Sequence, residues 1–260
     1  MRGSDSDVAA VLERFDAEMR ADPPASVAQH IERMDGIVRT IGRYNAILFD
    51  ALAEADVDRV VAEQAAYFAA LGEDLEWKRY AHDPPLTFDT SLAAHGFVAE
   101  DVETLLALDL SSDVVIEPEP GVVVRPVLTA DDVATYLDVT CAAFGSAPPW
   151  PAEKFVAEVL ATASETYAFV AFVDGIPSAA GRVQLPRERS FASMWGGGTA
   201  PNARSRGVYR TLVSKRARLA REHGYAYLTV DARDTSRPIL ERLGFRALTT
   251  IHAWTLHVER

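Results

Sequence analysis

After residue 120 the apolar positions change their spacing several times, and each change marks a secondary-structure element. Tyr167–Val173 is apolar almost throughout, and the Asp174-Gly175 pair that follows is typical of a type I′ turn. Apolar positions return over Ile176–Gln184, so this segment predicts a β-hairpin. From Val208 the apolar residues recur at helical spacing, with basic residues largely on the other faces, until Gly224 provides a natural helix end.

Caps and turn residues place the other elements of this half. Thr129-Ala-Asp-Asp132 resembles a capping box and predicts the start of a helix. The predicted order for residues 121–260 is β-α-α-β-β-β-α-β-α-β-β. It consists of a strand from Val122, helices over 129–144 and 152–163, strands over 167–173, 176–184 and 191–199, a helix from 208, a strand over 225–230, a short helix from Ser236 that ends at Leu243-Gly-Phe245, and two closing strands over 246–258.

The clearest internal boundary is Glu117-Pro-Glu-Pro-Gly121, a short stretch of Pro, Gly and acid between two apolar runs. It separates an N-terminal region, 1–118, from a C-terminal region, 121–260. The N-terminal region resembles a degenerate copy of the C-terminal one, since Leu92–Phe97 ends in the same Gly-Phe pair as Leu240–Phe245. Two βαβ segments resemble each other easily, so coincidence is the alternative to a degenerate repeat.

The composition of the 260-residue chain is that of a globular protein with a substantial core, with 48% hydrophobic and 25% charged residues. Its net charge of −12 excludes nucleic acid and anionic membranes as partners held by overall electrostatics. The charge is uneven, because residues 1–120 hold 9 Lys/Arg and 25 Asp/Glu, or −16, whereas residues 121–260 hold 17 and 13, or +4. We therefore expect the two regions to have different partners.

Few residues are available for disulfide or metal chemistry. Cys141 is the one cysteine, which excludes an intrachain disulfide and a cysteine zinc site, and the six histidines are scattered, so no metal is expected. Cys141 lies in a predicted helix among small apolar residues, where a core position is expected. No signal peptide and no apolar run of about 18 residues is present, so we expect a cytoplasmic protein without a membrane partner. The oligomeric state is open, with a homodimer as one option.

The candidate chemistry lies where a predicted strand ends at Thr199 and a helix begins at Val208. A helix N-terminus offers unpaired backbone N–H groups and partial positive charge, which together bind phosphate. Gly207 lets the backbone approach such a ligand closely. Three arginines add positive charge beside it, namely Arg204, Arg206 and Arg210.

Two other phosphate motifs do not fit this segment. A Walker A loop needs a Gly-Lys-Ser/Thr ending, and a dinucleotide fingerprint needs three spaced glycines, whereas Gly196-Gly-Gly198 precedes the turn. A solvated basic helix face is the alternative explanation for the arginines. The strand and loop in front of the helix favour a phosphate site.

Arg204-Ser-Arg-Gly207-Val-Tyr209 resembles the R/Q-x-x-G-x-G/A signature of the GNAT N-acetyltransferases, which bind acetyl-CoA. Thr199-Ala-Pro201 is similar to the V-x-P motif that ends a strand in that family, and Leu243-Gly-Phe245 matches the L-G-F motif that ends a helix. The predicted order of strands and helices is similar to that of the family fold. Tyr209 departs from the signature, which has Gly or Ala there. The resemblance implies an α/β (α+β) fold with a mixed, mostly antiparallel sheet flanked by helices. It implies a GNAT domain over 121–260 and a smaller, degenerate α/β half before it.

The same resemblance implies how acetyl-CoA would bind as a co-substrate. The residues whose backbone would pair with the pantetheine arm are Gly197, Gly198 and Thr199, and the strands over 191–199 and 225–230 would splay apart to admit that arm. The residues implied around the pyrophosphate are Ser205, Arg206, Gly207, Val208, Tyr209 and Arg210, and Arg204 adds charge beside them as a further cofactor-binding residue. In the N-terminal region Ala53-Glu-Ala-Asp56 places acids where a second phosphate loop would be, so we expect no second cofactor site there.

The residues for catalysis depart further from the family pattern. Ser193 stands where some members have a glutamate base, and a serine cannot fill that role alone. Asp231, at the end of the next strand, is the nearest candidate base, with a strand-end cap as its alternative role. Leu240 stands where many members have a tyrosine that protonates the departing thiolate, and Tyr209 and Tyr227 are either substitutes or packing residues.

The resemblance further implies an acceptor pocket, for which the candidates are Trp150, Ser193 and Trp195. Packing against Phe144 is the alternative role of Trp150, and a core position is the alternative for Trp195. The sequence therefore predicts transfer of an acetyl group from acetyl-CoA to a primary amine of a small molecule or peptide, by direct attack in a ternary complex. The alternative hypothesis is a catalytically silent acyl-CoA-binding regulatory module. A third is a binder of phosphate ligands in general.

Overall fold

The computed structural model describes residues 5–25, 29–42, 44–84, 87–146, 152–161 and 164–258. The helices are α1 (Asp5–Phe15), continued by a π-helical turn (Asp16–Ala21), α2 (Glu54–Leu71), α3 (Phe88–Ala94), α4 (Ala130–Phe144), α5 (Ala152–Val159), α6 (Val208–Glu222) and α7 (Arg237–Arg242). The strands are β1 (Gln29–Met34), β2 (Ile37–Gly42), β3 (Ala46–Asp50), β4 (Leu75–Tyr80), β5 (Val98–Ala99), β6 (Glu103–Asp109), β7 (Val122–Pro126), β8 (Thr166–Val173), β9 (Ile176–Gln184), β10 (Phe191–Thr199), β11 (Tyr227–Ala232) and β12 (Arg246–Leu256).

The described strands form one mixed sheet in the order β1-β2-β3-β4-β12-β6-β11-β10-β9-β8-β7, with β5 paired to β12 beside this path. Neighbours are antiparallel except for the parallel pairs β3–β4 and β10–β11. A helix connects the two strands of each parallel pair, α2 in the first and α6 in the second. The fold is therefore the expected mixed, mostly antiparallel sheet flanked by helices.

Both halves of the chain show the same order of elements. The series β1-β2-β3-α2-β4-α3 corresponds to β8-β9-β10-α6-β11-α7. The two connecting helices differ at their first turn, where α2 carries Glu54 and Asp56 and α6 carries no acidic residue. Acids at a helix N-terminus complement the helix dipole and oppose a bound anion.

The last strands of the two halves are exchanged. β6 from the N-terminal half lies between β11 and β12, with Leu105 opposite Asp231. β12 pairs with β6 over Arg246–Ile251 and then continues along β4 over Ile251–Leu256. The boundary predicted at 118–121 lies in the connection from β6 to β7, but the sheet crosses it through these two strands.

The prediction of two closing strands over 246–258 is wrong. β12 is a single strand of 11 residues, and the register shift between Ala247 and Thr249 is a β-bulge within it. The chain continues because its second part finds a partner in β4 of the other half. β11 also begins at Tyr227 rather than Tyr225, since the N–H of Tyr225 still donates to the carbonyl of Ala220 at the end of α6.

The predictions that depend on adjacent residues are confirmed. The N–H of Asp132 donates to Oγ1 of Thr129 at 3.2 Å, and the N–H of Thr129 donates to Oδ2 of Asp132 at 3.0 Å, which is the predicted capping box of α4. Asp174 and Gly175 have φ angles of +52° and +77°, as the predicted turn between β8 and β9 requires.

Apolar clusters lie on both faces of the sheet, and one of them joins the halves. In the C-terminal half α6 and α7 pack on one face around Leu212, and α4 and α5 pack on the other around Tyr136. In the N-terminal half α2 and α3 pack around Trp77, which is fully buried. The joining cluster contains Phe15, Tyr80, Leu105, Phe191 and Ile251. It fixes the N-terminal half against β10 and β11.

Candidate functional site

The connection from β10 to α6 contains two residues with positive φ. A 3-10 turn over Pro201–Ala203 follows β10, Ser205 has φ +62°, and Gly207 has φ +70° as the N-cap of α6. A serine in the left-handed region is uncommon, and such strained residues cluster at functional sites. Among the described residues no side chain caps α6. The N–H groups of its first turn are therefore available to a bound anion.

Two of the arginines predicted beside this loop fasten it to neighbouring elements. Arg204 donates to the carbonyl oxygens of Thr199 at 3.3 Å and Ala143 at 3.2 Å, which ties the loop to β10 and α4. Arg206 pairs with Asp174 of the β8–β9 turn at 2.9 Å. Arg206 is 52% exposed, so its guanidinium is also accessible to a ligand.

A carboxylate of the linker lies at the start of α6. Glu119 forms an ion pair with Arg210, and its Oε2 lies 2.5 Å from the position that a Cβ on Gly207 would occupy. The backbone N–H of Glu119 donates to Oγ1 of Thr211 at 2.8 Å, which fastens the linker to the helix. Glu119 thus lies among the residues that the resemblance assigns to the pyrophosphate. Sequence reasoning missed it, and the acidic composition of the linker is the one signal that points to it.

β10 and β11 pair only at their first residues. Phe191–Ser193 lies opposite Tyr227–Thr229, and the strands separate beyond that point. β10 stays paired with β9 as far as Thr199, across a bulge between Trp195 and Gly198. No described strand pairs with the other edge of β10 after Ser193, so an extended backbone edge faces the gap between β10 and β11.

The glycines of β10 allow close packing from both faces. A Cβ on Gly198 would lie 2.7 Å from Cβ of Ala143 in α4. A Cβ on Gly197 would lie 3.2 Å from the guanidinium of Arg216 in α6. The approach of two helices therefore requires glycine here, independently of any ligand.

Tyr209, at the position where the resemblance expects Gly or Ala, packs beneath β10. Its Cε2 lies 3.3 Å from the position of a Cβ on Gly197, and burial raises the pKa of its hydroxyl, which lies beside Arg216. Arg216 is 1% exposed, donates to the carbonyl of Leu212 at 3.1 Å, and has its pKa lowered by burial. Tyr209 is therefore a packing residue next to a buried cation.

Tyr227 and the leucine at the place of the usual acid are packing residues. Leu240 is fully buried in the C-terminal core, and Tyr227 stacks on Phe191 with ring centroids 5.1 Å apart. Cys141, for which a core position was expected, is only half-buried in α4. None of these side chains lines the cavity that lies between the halves.

A cavity of about 140 Å³ lies where β10 and β11 separate. The C-terminal half contributes three of the predicted residues to its wall, and the N-terminal half contributes residues that were not predicted, among them two tyrosines and a lysine. These residues are Ser193, Trp195 and Asp231, and Tyr44, Lys78 and Tyr80. Trp150, the other residue predicted for the acceptor pocket, lies outside the described residues.

Asp231 forms a buried ion pair with Lys78 of β4, from the opposite half. Their side chains are 12% and 9% exposed. Burial alone would lower the pKa of Lys78, but Asp231 together with Tyr80, Glu76 and Tyr44 outweighs burial and holds that pKa well above its usual range. Nζ of Lys78 also lies 5.4 Å from the centre of the Trp195 ring. The carboxylate of Asp231 therefore pairs with a lysine ammonium group instead of capping the end of its strand.

Sequence reasoning missed Lys78. It is separated from Asp231 by 153 residues, and the surrounding Glu76-Trp-Lys-Arg-Tyr80 resembles any charged strand. Only the packing of the two halves against each other brings the side chain to the cavity.

Some of the polar groups that the C-terminal half contributes to the cavity wall have hydrogen-bond partners. The hydroxyls of Ser193 and Thr229 lie 3.2 Å apart, and Thr229 donates to the carbonyl of Ala192 at 3.1 Å. Nε1 of Trp195 is buried and has no hydrogen-bond partner among the described residues. A buried donor without a partner is costly, which favours a ligand or ordered water at this point.

Within the described ranges, no helix has the length and apolar character needed to span a bilayer. The same part of the chain contains no group of three or more His, Cys, Asp or Glu side chains placed to hold a metal ion.

Residues 134–245 match the sequence model of the Acetyltransferase (GNAT) family. No curated protein sequence matches the chain. Among solved structures, the chain is similar to a GCN5-related N-acetyltransferase from Kribbella flavida, with 17% identity and a TM-score of 0.66 over 96% of this chain and 94% of that one.

Two further structures show the same likeness. A tandem GNAT protein from the clavulanic acid biosynthesis pathway has 17% identity and a TM-score of 0.59, over 97% of this chain and 95% of that one. A GCN5-related N-acetyltransferase from Sphaerobacter thermophilus has 12% identity and a TM-score of 0.59, over 86% and 82%. At these identities the likeness is one of fold, and it extends over both halves of the chain.

Proposed function

We propose that the protein transfers an acetyl group from acetyl-CoA to a primary amine. The premise is that residues 134–245 are a GNAT-family acetyltransferase domain. The observation that carries this proposal is the position of the cavity. Ser193 and Thr229 are the last paired residues of β10 and β11, and both line the cavity. The open edge of β10 begins at the same point. A ligand bound along that edge would therefore end at the cavity wall.

Acetyl-CoA supplies an activated acyl group, and the residues present fit its long arm. The edge of β10 after Ser193 offers backbone amides, and Oγ1 of Thr199 is buried without a partner among the described residues. The loop with Ser205 and Gly207 and the start of α6 would hold the pyrophosphate. The exposed Arg206 adds positive charge there.

The protein contributes to the reaction mainly by positioning. The acceptor nitrogen must be neutral to attack, and in a ternary complex it bonds to the acyl carbon as the bond from that carbon to sulfur breaks. The proton that the nitrogen loses ends on the released thiol, directly or through water. Ser193 is a hydroxyl and Asp231 is paired with Lys78, so neither is placed as a strong base. The remaining contribution to rate acceleration is that the cavity holds the amine beside the acyl group.

A catalytically silent acyl-CoA-binding module is the second candidate function. Two observations favour it. Leu240, at the place of the usual acid, is fully buried, and the carboxylate of Glu119 lies over Gly207, where a pyrophosphate would bind. Both functions need CoA, so turnover is what distinguishes them.

Calorimetric titration with acetyl-CoA, with ATP as the control, tests the shared part of both functions. Thiol release in the presence of primary amines then tests the reaction. Selective binding with amine-dependent thiol release supports the acetyltransferase, whereas binding without release for any amine supports the silent module. Equal affinity for ATP and acetyl-CoA would support a general phosphate binder, and no binding would overturn both proposals.

A further inference from the structure

We infer that the amine acceptor also carries a carboxylate, as a small amino acid does, and that Lys78 and Trp195 bind this carboxylate beside Asp231. The inference rests on the proposed acetyltransferase function and names the acceptor class for the same cavity. Three features of the cavity carry it: its charge balance, the donors on its wall, and its size.

The charged side chains that line the cavity are Arg20, Lys78 and Asp231. Arg20 is 2% exposed and is paired with Asp16 at 2.8 Å and Asp83 at 2.6 Å. The carboxylate of Asp231 is already paired with Lys78. Each of these charges is therefore already paired, and an acceptor with only an ammonium group would find no free carboxylate on the cavity wall. An acceptor with both charges adds none overall and can pair with both members of the Lys78–Asp231 pair.

Two more carboxylates lie near Lys78, but they do not line the cavity. Glu76 and Glu103 are both within electrostatic reach of its ammonium group. Glu103 pairs with Arg233 at 3.5 Å, and Glu76 accepts a hydrogen bond from the hydroxyl of Tyr44. They keep Lys78 charged without offering a carboxylate to a ligand in the cavity.

Two donors on the cavity wall suit a carboxylate. Nε1 of Trp195 is buried without a partner among the described residues, and an indole N–H can only donate. Nζ of Lys78 lies 5.4 Å from the centre of the same ring and has protons beyond the one that Asp231 accepts. A carboxylate has acceptor oxygens for both donors, whereas an ammonium group can use neither.

The cavity also limits the size of the acceptor. Its volume of about 140 Å³ is well below the roughly 300–1,000 Å³ of sites that take drug-sized ligands. A compact free amino acid therefore suits it better than a large amine.

A matched pair of acceptors tests the inference: serine, and ethanolamine, which lacks only its carboxylate. Thiol release from acetyl-CoA by the full-length protein gives kcat/KM for each, expressed per neutral amine. We expect a value about 10-fold or more higher for serine, mostly through KM, because a carboxylate held by charged donors binds strongly. Propionate, a carboxylate without an amine, should inhibit competitively against the amine acceptor in the wild-type protein.

Three variants assign the preference to residues, with the serine-to-ethanolamine ratio within each variant as the readout. Lys78→Met removes the cation, and the ratio should fall to about 1. Lys78→Arg keeps the cation and should keep most of the preference. Trp195→Phe removes the indole N–H together with part of the ring system, leaves the ion pair in place, and should lower the ratio part of the way.

Equal values for serine and ethanolamine would overturn the inference and leave the proposed function standing. If Lys78→Met folds, an unchanged serine-to-ethanolamine ratio in that variant would also overturn the inference. If it does not fold, the wild-type protein decides, and a lack of competition by propionate would overturn the inference. No turnover with any amine would overturn the proposed function and the inference together.

Discussion

Glu119 and Arg210, 91 residues apart in sequence, form an ion pair across the start of α6. The carboxylate of Glu119 also lies over Gly207, within 2.5 Å of where a Cβ would be. A helix start attracts anions, and here the linker between the halves supplies one from the chain itself. A pyrophosphate bound at this loop would have to displace it.

Glu119→Gln is therefore expected to strengthen acetyl-CoA binding. The substitution removes the competing charge and frees Arg210, whose ion pair is partly exposed. A pair of this kind is worth up to about 1 kcal/mol, which corresponds to about a 5-fold lower dissociation constant. Calorimetric titration of the variant and the wild type measures the difference.

Glu117→Gln is the matched control, because Glu117 is an exposed carboxylate of the same linker two residues away. It changes the net charge equally and should leave the affinity near that of the wild type. Equal effects of the two substitutions would mean that Glu119 does not block the loop and that only overall charge matters.

Gly207→Ala is expected to destabilise the protein more than Gly224→Ala. Both glycines have positive φ, +70° and +81°, so either substitution brings the left-handed strain of about 1–2 kcal/mol. A Cβ on Gly224 has nothing within 4 Å, whereas a Cβ on Gly207 meets Glu119. Urea unfolding of both variants measures the extra cost, and equal losses would contradict the placement of Glu119.

The local parts of the site could be predicted from the sequence. The loop around Gly207 and the helix after it are set by consecutive residues, whose turn, cap and spacing are visible in the sequence. The same holds for the capping box at Thr129 and the hairpin turn at Asp174. In each case the stabilising contacts join residues only a few positions apart.

The long-range parts could not be predicted. Glu119 reaches Arg210 across 91 residues, and Lys78 reaches Asp231 across 153. Both contacts depend on how the linker and the exchanged strands lie against the sheet. The exchange itself has no local signal, because a strand such as β12 satisfies its backbone equally well with a partner from either half.

Asp231→Asn is expected to lower the free energy of unfolding by about 3–5 kcal/mol, because it removes the carboxylate that pairs with the buried ammonium of Lys78. Lys78→Met should have a similar effect for the converse reason. The double variant removes both charges and should be more stable than either single variant. Urea unfolding of the wild type, the two single variants and the double variant gives the interaction energy between Lys78 and Asp231. Purely additive losses of unfolding free energy would show that the two groups do not interact.

The same pair predicts a loss of stability at alkaline pH. Burial opposes the charge on Lys78, but Asp231 and its other electrostatic neighbours together outweigh burial and hold the folded-state pKa well above its usual range. Because the folded state binds this proton more tightly, the contribution is fully present below the unfolded-state pKa of about 10.4 and is lost as pH rises through the folded pKa. The difference in unfolding free energy between the wild type and the double variant should be constant below about pH 9 and fall above about pH 10.5. A difference that stays constant at higher pH would contradict the pairing.

A fragment of residues 121–260 is expected to fold poorly, because β6 would be missing from between β11 and β12. Leu106 and Leu108 of β6 are at most 1% exposed and belong to the C-terminal core, so their loss opens that core. It also leaves two strand edges unpaired, which favours aggregation. Size-exclusion chromatography and urea unfolding should show an aggregated or strongly destabilised fragment.

A fragment of residues 98–260 is the matched control, since it restores β6 through its own linker and still lacks β4. It should be more soluble and more stable than 121–260, and less stable than the full chain, in which β12 also pairs with β4 over Ile251–Leu256. Residues 1–120 added separately should likewise rescue the shorter fragment by supplying β6. A fragment of residues 121–260 as stable as the full chain would mean that β12 folds back to close its own sheet, and the exchange of strands would then not be needed for the fold.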